Sequence, residues 1–152
     1  MPESGDKRRS YDRTQKGPWG LLLCAIAIVL LTLTWTVPNV PALPSAFGVI
    51  GFVVLGTSFH QLTVADEGNQ LTVHFGPLTL FRKRIWYEDI NEAERGRTTL
   101  LDGWGIHWTP WGGSVWNIWG FDCVVLRLTK GTLEVGTDDP DGLVEFLKAR
   151  IR

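Results

Sequence analysis

The chain is poor in the residues from which reaction centres are usually built: 152 residues include three histidines, two cysteines and one methionine. His60, His74 and His107 have no HExxH or other paired spacing, and no CxxC accompanies them, so no zinc ligand set is written in the sequence. GxSxG and P-loop patterns are also missing. Ser114 follows two glycines but lacks the context of a nucleophile elbow. Cys24 and Cys123 stand alone, which excludes a disulfide framework and leaves two packing residues. No catalytic residue, cofactor or metal is expected. The formal net charge of −1 provides no basic field for nucleic acid.

The most informative lack is of charge. Between Trp19 and Phe59 there is no Asp, Glu, Lys or Arg. The first apolar run, Trp19 to Val37, contains ten Leu, Ile or Val residues, together contributing roughly −3 to −6 kcal/mol toward insertion into a bilayer. Trp19 and Trp35 are spaced to place one indole near each headgroup layer, about 24 Å apart along a helix. A second apolar run follows at 43–60, shorter and richer in glycine. Pro38, Pro41 and Pro44 recur every third residue between the runs, which predicts a short, stiff polyproline II connection. A two-helix transmembrane hairpin over residues 18–60 is therefore expected. A cleaved signal peptide is the competing reading, but the apolar run is too long and a second one follows at once.

Charge also orients the hairpin. Residues 1–17, expected to form a disordered tail because they have little apolar surface to bury, carry five basic and three acidic residues. Arg82, Lys83 and Arg84 follow the second span. The positive-inside rule then places both termini in the cytoplasm and Pro38 to Ser45 outside, in a multi-pass protein of the cytoplasmic membrane. Small residues Gly20, Cys24, Ala27 and Thr34 form a stripe on the first span, and Gly48, Gly51 and Ser58 on the second, as close packing of membrane helices requires.

After the hairpin the period changes to two. Leu62 and Val64, then Leu71, Val73 and Phe75, alternate with polar residues around Glu67-Gly68-Asn69, a β-hairpin pattern. Leu78 to Ile90 reads as one or two further strands with Arg82, Lys83 and Arg84 near a bend, whereas Ile90 to Arg97 has no assignable period. Cys123 to Thr129 and Thr132 to Thr137 flank Lys130-Gly131 as a second hairpin. At the end, Asp138 or Asp139 caps a helix that begins at Pro140 and presents Leu143, Val144, Leu147 and Ile151 on one face.

Several strands closed by one helix after a membrane hairpin resemble the bacterial pleckstrin-homology-like (PH-like) domains. The resemblance is carried by GPLTLFRKRIWYEDI (Gly76 to Ile90), DGWGIHW (Asp102 to Trp108), GFDCVVLRL (Gly120 to Leu128) and GTDDPDGLVEFLKAR (Gly136 to Arg150). It implies a membrane-anchored α+β protein, in which residues 61–152 form a bent seven-stranded β-barrel or sandwich with the C-terminal α-helix plugging one end. It implies no enzymatic activity. Phosphoinositide-binding members carry Lys and Arg around the first strand pair; here that turn is Asp66-Glu67-Gly68-Asn69, which repels an inositol phosphate.

Five of the eight tryptophans, Trp104, Trp108, Trp111, Trp116 and Trp119, fall within 16 residues amid glycines, in a long loop or extended hairpin. A small barrel cannot readily bury five indoles, each with an N–H that needs a partner. The surplus, with Arg82, Lys83 and Arg84, is expected at the membrane surface, at the hairpin's cytoplasmic end or against a partner. The expected function is a non-enzymatic, membrane-anchored interaction or scaffold module that binds another protein or its own kind. The alternative is a small-ligand binder or enzyme using a Trp-rich pocket around His107, with Asp102 or Asp122 beside it.

Overall fold

The computed structural model describes residues 10–99, 105–109 and 112–151. Its helices are α1 (Trp19–Thr36), α2 (Ala42–Ser58) and α3 (Pro140–Lys148). Its strands are β1 (Asp12–Lys16), β2 (Gln61–Asp66), β3 (Gln70–Phe75), β4 (Phe81–Trp86), β5 (Ile90–Arg97), β6 (Gly105–Trp108), β7 (Gly113–Asn117), β8 (Asp122–Leu128) and β9 (Thr132–Gly136). The fold is α+β with a four-stranded sheet ordered β1-β2-β3-β4 and a five-stranded sheet ordered β5-β8-β9-β7-β6.

Helix α1 is apolar all round and long enough, at 18 residues, to cross a membrane; α2 is a shorter apolar helix of 17 residues. They pack as a hairpin through small residues. A Cβ on Gly20 would come 2.6 Å from the Gly56 carbonyl oxygen, and one on Gly56 would come 2.9 Å from Cys24 Sγ. Thus Gly20 and Cys24 meet Gly56, whereas Gly48 and Gly51 have nothing within 4 Å. The connection is tighter than a polyproline II segment from Pro38 to Pro44. Pro44 lies in the first turn of α2, where its missing N–H leaves no helical bond unmade, and Asn39 takes φ of 67° in the turn.

Residues 1–9 of the expected disordered tail lie outside the described residues, but Asp12–Lys16 are β1, the edge strand of the first sheet. The expectation fails here because an edge strand needs ladder hydrogen bonds more than apolar side chains. A single aromatic holds its start: Tyr11 is 9% exposed and stacks on Phe146 at 5.4 Å. Thr14 and Thr63 share a hydroxyl hydrogen bond across the pair at 2.8 Å. Strand pairing with β2 therefore links the segment before α1 to the segment after α2.

The two sheets share one core, in which Leu62, Val64, Leu71, Val73 and Phe75 meet Trp116, Val124, Leu126, Leu133 and Val135. Neither sheet closes into a barrel, and there are nine described strands where seven were expected. Strand β1 is one that the sequence pattern did not offer, and the Trp-rich stretch takes the extended-hairpin form, as β6 and β7. Strand β7 then pairs parallel to β9. The unreadable stretch Ile90 to Arg97 is β5. A register shift between Ile90 and Glu92 turns Ile90 and Ala93, three positions apart, into the same core, which defeats a period of two. Arg82, Lys83 and Arg84 stand in mid-strand in β4, not at a bend.

Helix α3 closes the core as its cap predicts. Of the two candidate caps, Asp139 accepts a hydrogen bond from the Gly142 N–H at 3.1 Å, and Leu143 and Leu147 are fully buried. Beyond it, Arg150 pairs with Asp66 at 2.8 Å and lies over the rings of Phe146 and Tyr87. Tyr87 donates its hydroxyl to the same Asp66 at 2.7 Å. Burial, followed by the Asp66 hydrogen bond and charge, pushes the Tyr87 phenol pKa well up. The acidic turn after β2 is thus neutralised within the fold, since Glu67 likewise pairs with Arg82.

Candidate functional site at the hairpin base

The hairpin leaves the first sheet from two neighbouring strands. Lys16 pairs with Gln61, and the Gly17 N–H continues the ladder by donating to the His60 carbonyl at 3.0 Å. Close backbone approach is required at this base: a Cβ on Gly76 would come 2.6 Å from the Ser58 carbonyl oxygen. Phe59 then anchors the end of α2 in the domain, with its ring 5.0 Å from Phe75 and 5.3 Å from Phe81.

The three described members of the tryptophan cluster stand in different surroundings. Trp104 and Trp111 lie outside the described residues. Trp116 is core, 8% exposed and 5.7 Å from Phe75. Trp119, 42% exposed, meets Trp19 of α1 edge-on at 6.5 Å, joining the domain to the hairpin. Trp108 on β6 is 83% exposed. Strand alternation does not separate Trp108 from Trp116, since Ile106 pairs with Trp116 and Trp108 with Ser114, which puts both indoles on one face of the ladder; Trp108 is the last residue of β6.

Beside the Trp19–Trp119 contact is a cavity of about 450 Å³, lined among the described residues by Trp19, Leu23, Phe59, Gly105, Ile106, His107 and Ile118. Its walls are mostly apolar. His107 Nδ1 is buried without a hydrogen-bond partner among the described residues. Asp102, a proposed partner for this histidine, lies outside the described residues, and Asp122 pairs with Arg95 at 3.5 Å. No hydrogen bond or ion pair joins His107 to a carboxylate among the described residues. His74 Nδ1 lies 3.2 Å from the Gly76 carbonyl, and no described group of three or more His, Cys, Asp or Glu side chains is arranged to hold a metal.

The basic triplet is split by the same alternation. Arg82 and Arg84 are exposed, whereas Lys83 turns inward and donates to Ser114 Oγ at 2.9 Å. Burial pushes the Lys83 ammonium pKa down from the ordinary lysine value. With Arg84, Asp89 and Lys130 it lines a second cleft of about 290 Å³, between β4 and the β8–β9 turn.

Sequence reasoning found Trp19, Trp119 and His107 but not their convergence with Leu23, Phe59 and Ile118. The one available signal was the three-residue span from Phe59 to Leu62, which keeps β2 and its neighbours against the helix ends. Comparison with protein-family models and with curated proteins yields no match to this chain.

Proposed function

We propose that this chain is a non-enzymatic interaction module with a PH-like domain, held on the cytoplasmic face of a bacterial membrane by the α1–α2 hairpin. The observation that carries the reading is the geometry of the base. Both connections between hairpin and domain meet at one end, through the Gly17 to His60 hydrogen bond, and Asn39 lies in the turn at the other. If the helices cross a bilayer, β1 and β2 must then lie on the same side. The basic residues before Trp19 favour the cytoplasm for that side.

Exposure around the hairpin supports anchoring. Leu21, Ile28, Leu43, Phe47 and Ile50 are each at least 60% exposed, forming apolar surface on both helices; in water such a patch marks an unmet interface. The domain outside the hairpin offers Trp108 and Trp86 as exposed aromatic contacts for a protein partner or a second copy.

Topology is testable in intact cells with an impermeant thiol reagent, in a background with Cys24 and Cys123 changed to alanine. Asn39→Cys should react before lysis, and Ser10→Cys only after it. The reverse pattern would show that the domain is on the outer face; equal protection of both would show that the hairpin does not cross.

A further inference from the structure

We propose that the cavity between α1 and β6 holds one acyl chain of a membrane phospholipid. This inference rests on the anchored reading above. Two walls of the cavity, Trp19 and Leu23, belong to the helix that is long and apolar enough to cross a membrane, and Phe59 follows the second helix directly. Leu23 stands one turn beyond Trp19, so the cavity extends into the level where the apolar span begins. The molecules adjoining a protein at that depth are lipid tails.

The chemistry of the lining selects the same occupant. Ile106 and Ile118 complete the apolar walls, and no Lys, Arg, Asp or Glu is among the described lining residues. A phosphorylated or otherwise charged small molecule would lose its hydration there without a countercharge. An acyl chain loses none. Its volume, about 450 Å³, falls in the ordinary range of ligand sites, about 300–1,000 Å³.

His107 and Gly105 shape the strand side of the cavity. The His107 ring lines the cavity while its Nδ1 is turned out of reach of a water molecule, so the ring adds a flat wall there and Nδ1 offers an occupant no hydrogen bond. Gly105 keeps room beside the ring. A Cβ there would stand 3.7 Å from His107 Cε1 and 3.9 Å from Phe59 Cε1, in the gap between them, and φ of 107° disfavours any side chain. The occupant is therefore expected to pass between Phe59 and His107.

The full chain would be reconstituted in vesicles of phosphatidylcholine that bears a diazirine near the ester end of one acyl chain. After irradiation, mass spectrometry would map the label. The expected result is label on β6 as well as on outward residues of α2 such as Phe47 and Ile50. Leu23→Trp, which fills the cavity from the helix side, should lower the β6 label about tenfold and leave the α2 label unchanged. Ile106→Trp fills the same space from the strand side and should act alike.

An α2 label with no β6 label, or a β6 label indifferent to both variants, would overturn the lipid site while leaving the anchored reading intact. Loss of label from both α2 and β6 would remove the anchored reading itself, and the site with it. A parallel sample with diazirine-bearing palmitate separates the sources: labelling of β6 by the free acid but not by the phospholipid would refute the phospholipid as occupant.

Discussion

Helix α3 buries Leu143 and Leu147 completely, whereas α1 leaves Leu21 67%, Ile28 65% and Trp35 84% exposed. Both helices are rich in apolar residues, but their patterns differ. On α3 these residues share one face and the sheets cover them; on α1 they run all round, and α2 covers only the small-residue side. Ala27 is 3% exposed there. The stability of α3 comes from contacts within the chain. What stabilises the outer surface of α1 must come from its surroundings, which is why the same residue type predicts different consequences in the two places.

The sharpest test of that contrast removes the hairpin, and Phe59 with it, and keeps both sheets and α3. Joining Lys16 to Gln61 through an Asn-Gly turn in place of residues 17–60 should yield a soluble domain with cooperative urea unfolding, because those two residues already face each other across the ladder. Deleting residues 1–16 from that protein should cost the ladder and the buried Tyr11 ring; truncation of a buried aromatic alone costs about 3–5 kcal/mol. If the hairpin-free form fails to fold even with Phe59 retained before Gln61, α1 and α2 belong to the core and the contrast collapses.

A narrower comparison uses one substitution in each helix. Leu147→Ala should destabilise the domain by about 2–5 kcal/mol, as a fully buried large-to-small change. Ile28→Ala, made in the full chain in detergent, should leave the domain's unfolding midpoint where it was. Similar shifts from both would mean that α1 is as protein-packed as α3.

The smallest effect lies inside the sheet. Lys83 is turned inward beside Ser114, and its lowered pKa means that the charged form is less favourable in the folded protein than in the unfolded chain. Its penalty is present at neutral pH, where the unfolded lysine is charged, and disappears as pH rises through the ordinary value of 10.5. Lys83→Met in the hairpin-free domain should therefore raise the midpoint at pH 7, with the gain shrinking above that value. An unchanged or lowered midpoint at pH 7 would mean that the Ser114 hydrogen bond outweighs desolvation.

What the sequence determined by itself is whatever depends on neighbours a few residues apart. The apolar length of α1, the Asp139–Pro140 start of α3, and the Gly68 and Gly131 turns, with φ of 87° and 83°, were all legible because helix length, capping and turn chemistry are local. Tertiary structure alone decided the rest. Asp12–Lys16 became a strand because β2, more than forty residues later, offers an open edge. Ile90 and Ala93 share the core because a bulge restores their phase, and Lys83 faces Ser114 because strand register sets its side. The hairpin-base cavity is the extreme case. Trp19, Phe59, His107 and Ile118 come from four separated places in the chain, and no local spacing reveals that the ladder from Lys16 to Gln61 brings the helix ends to β6.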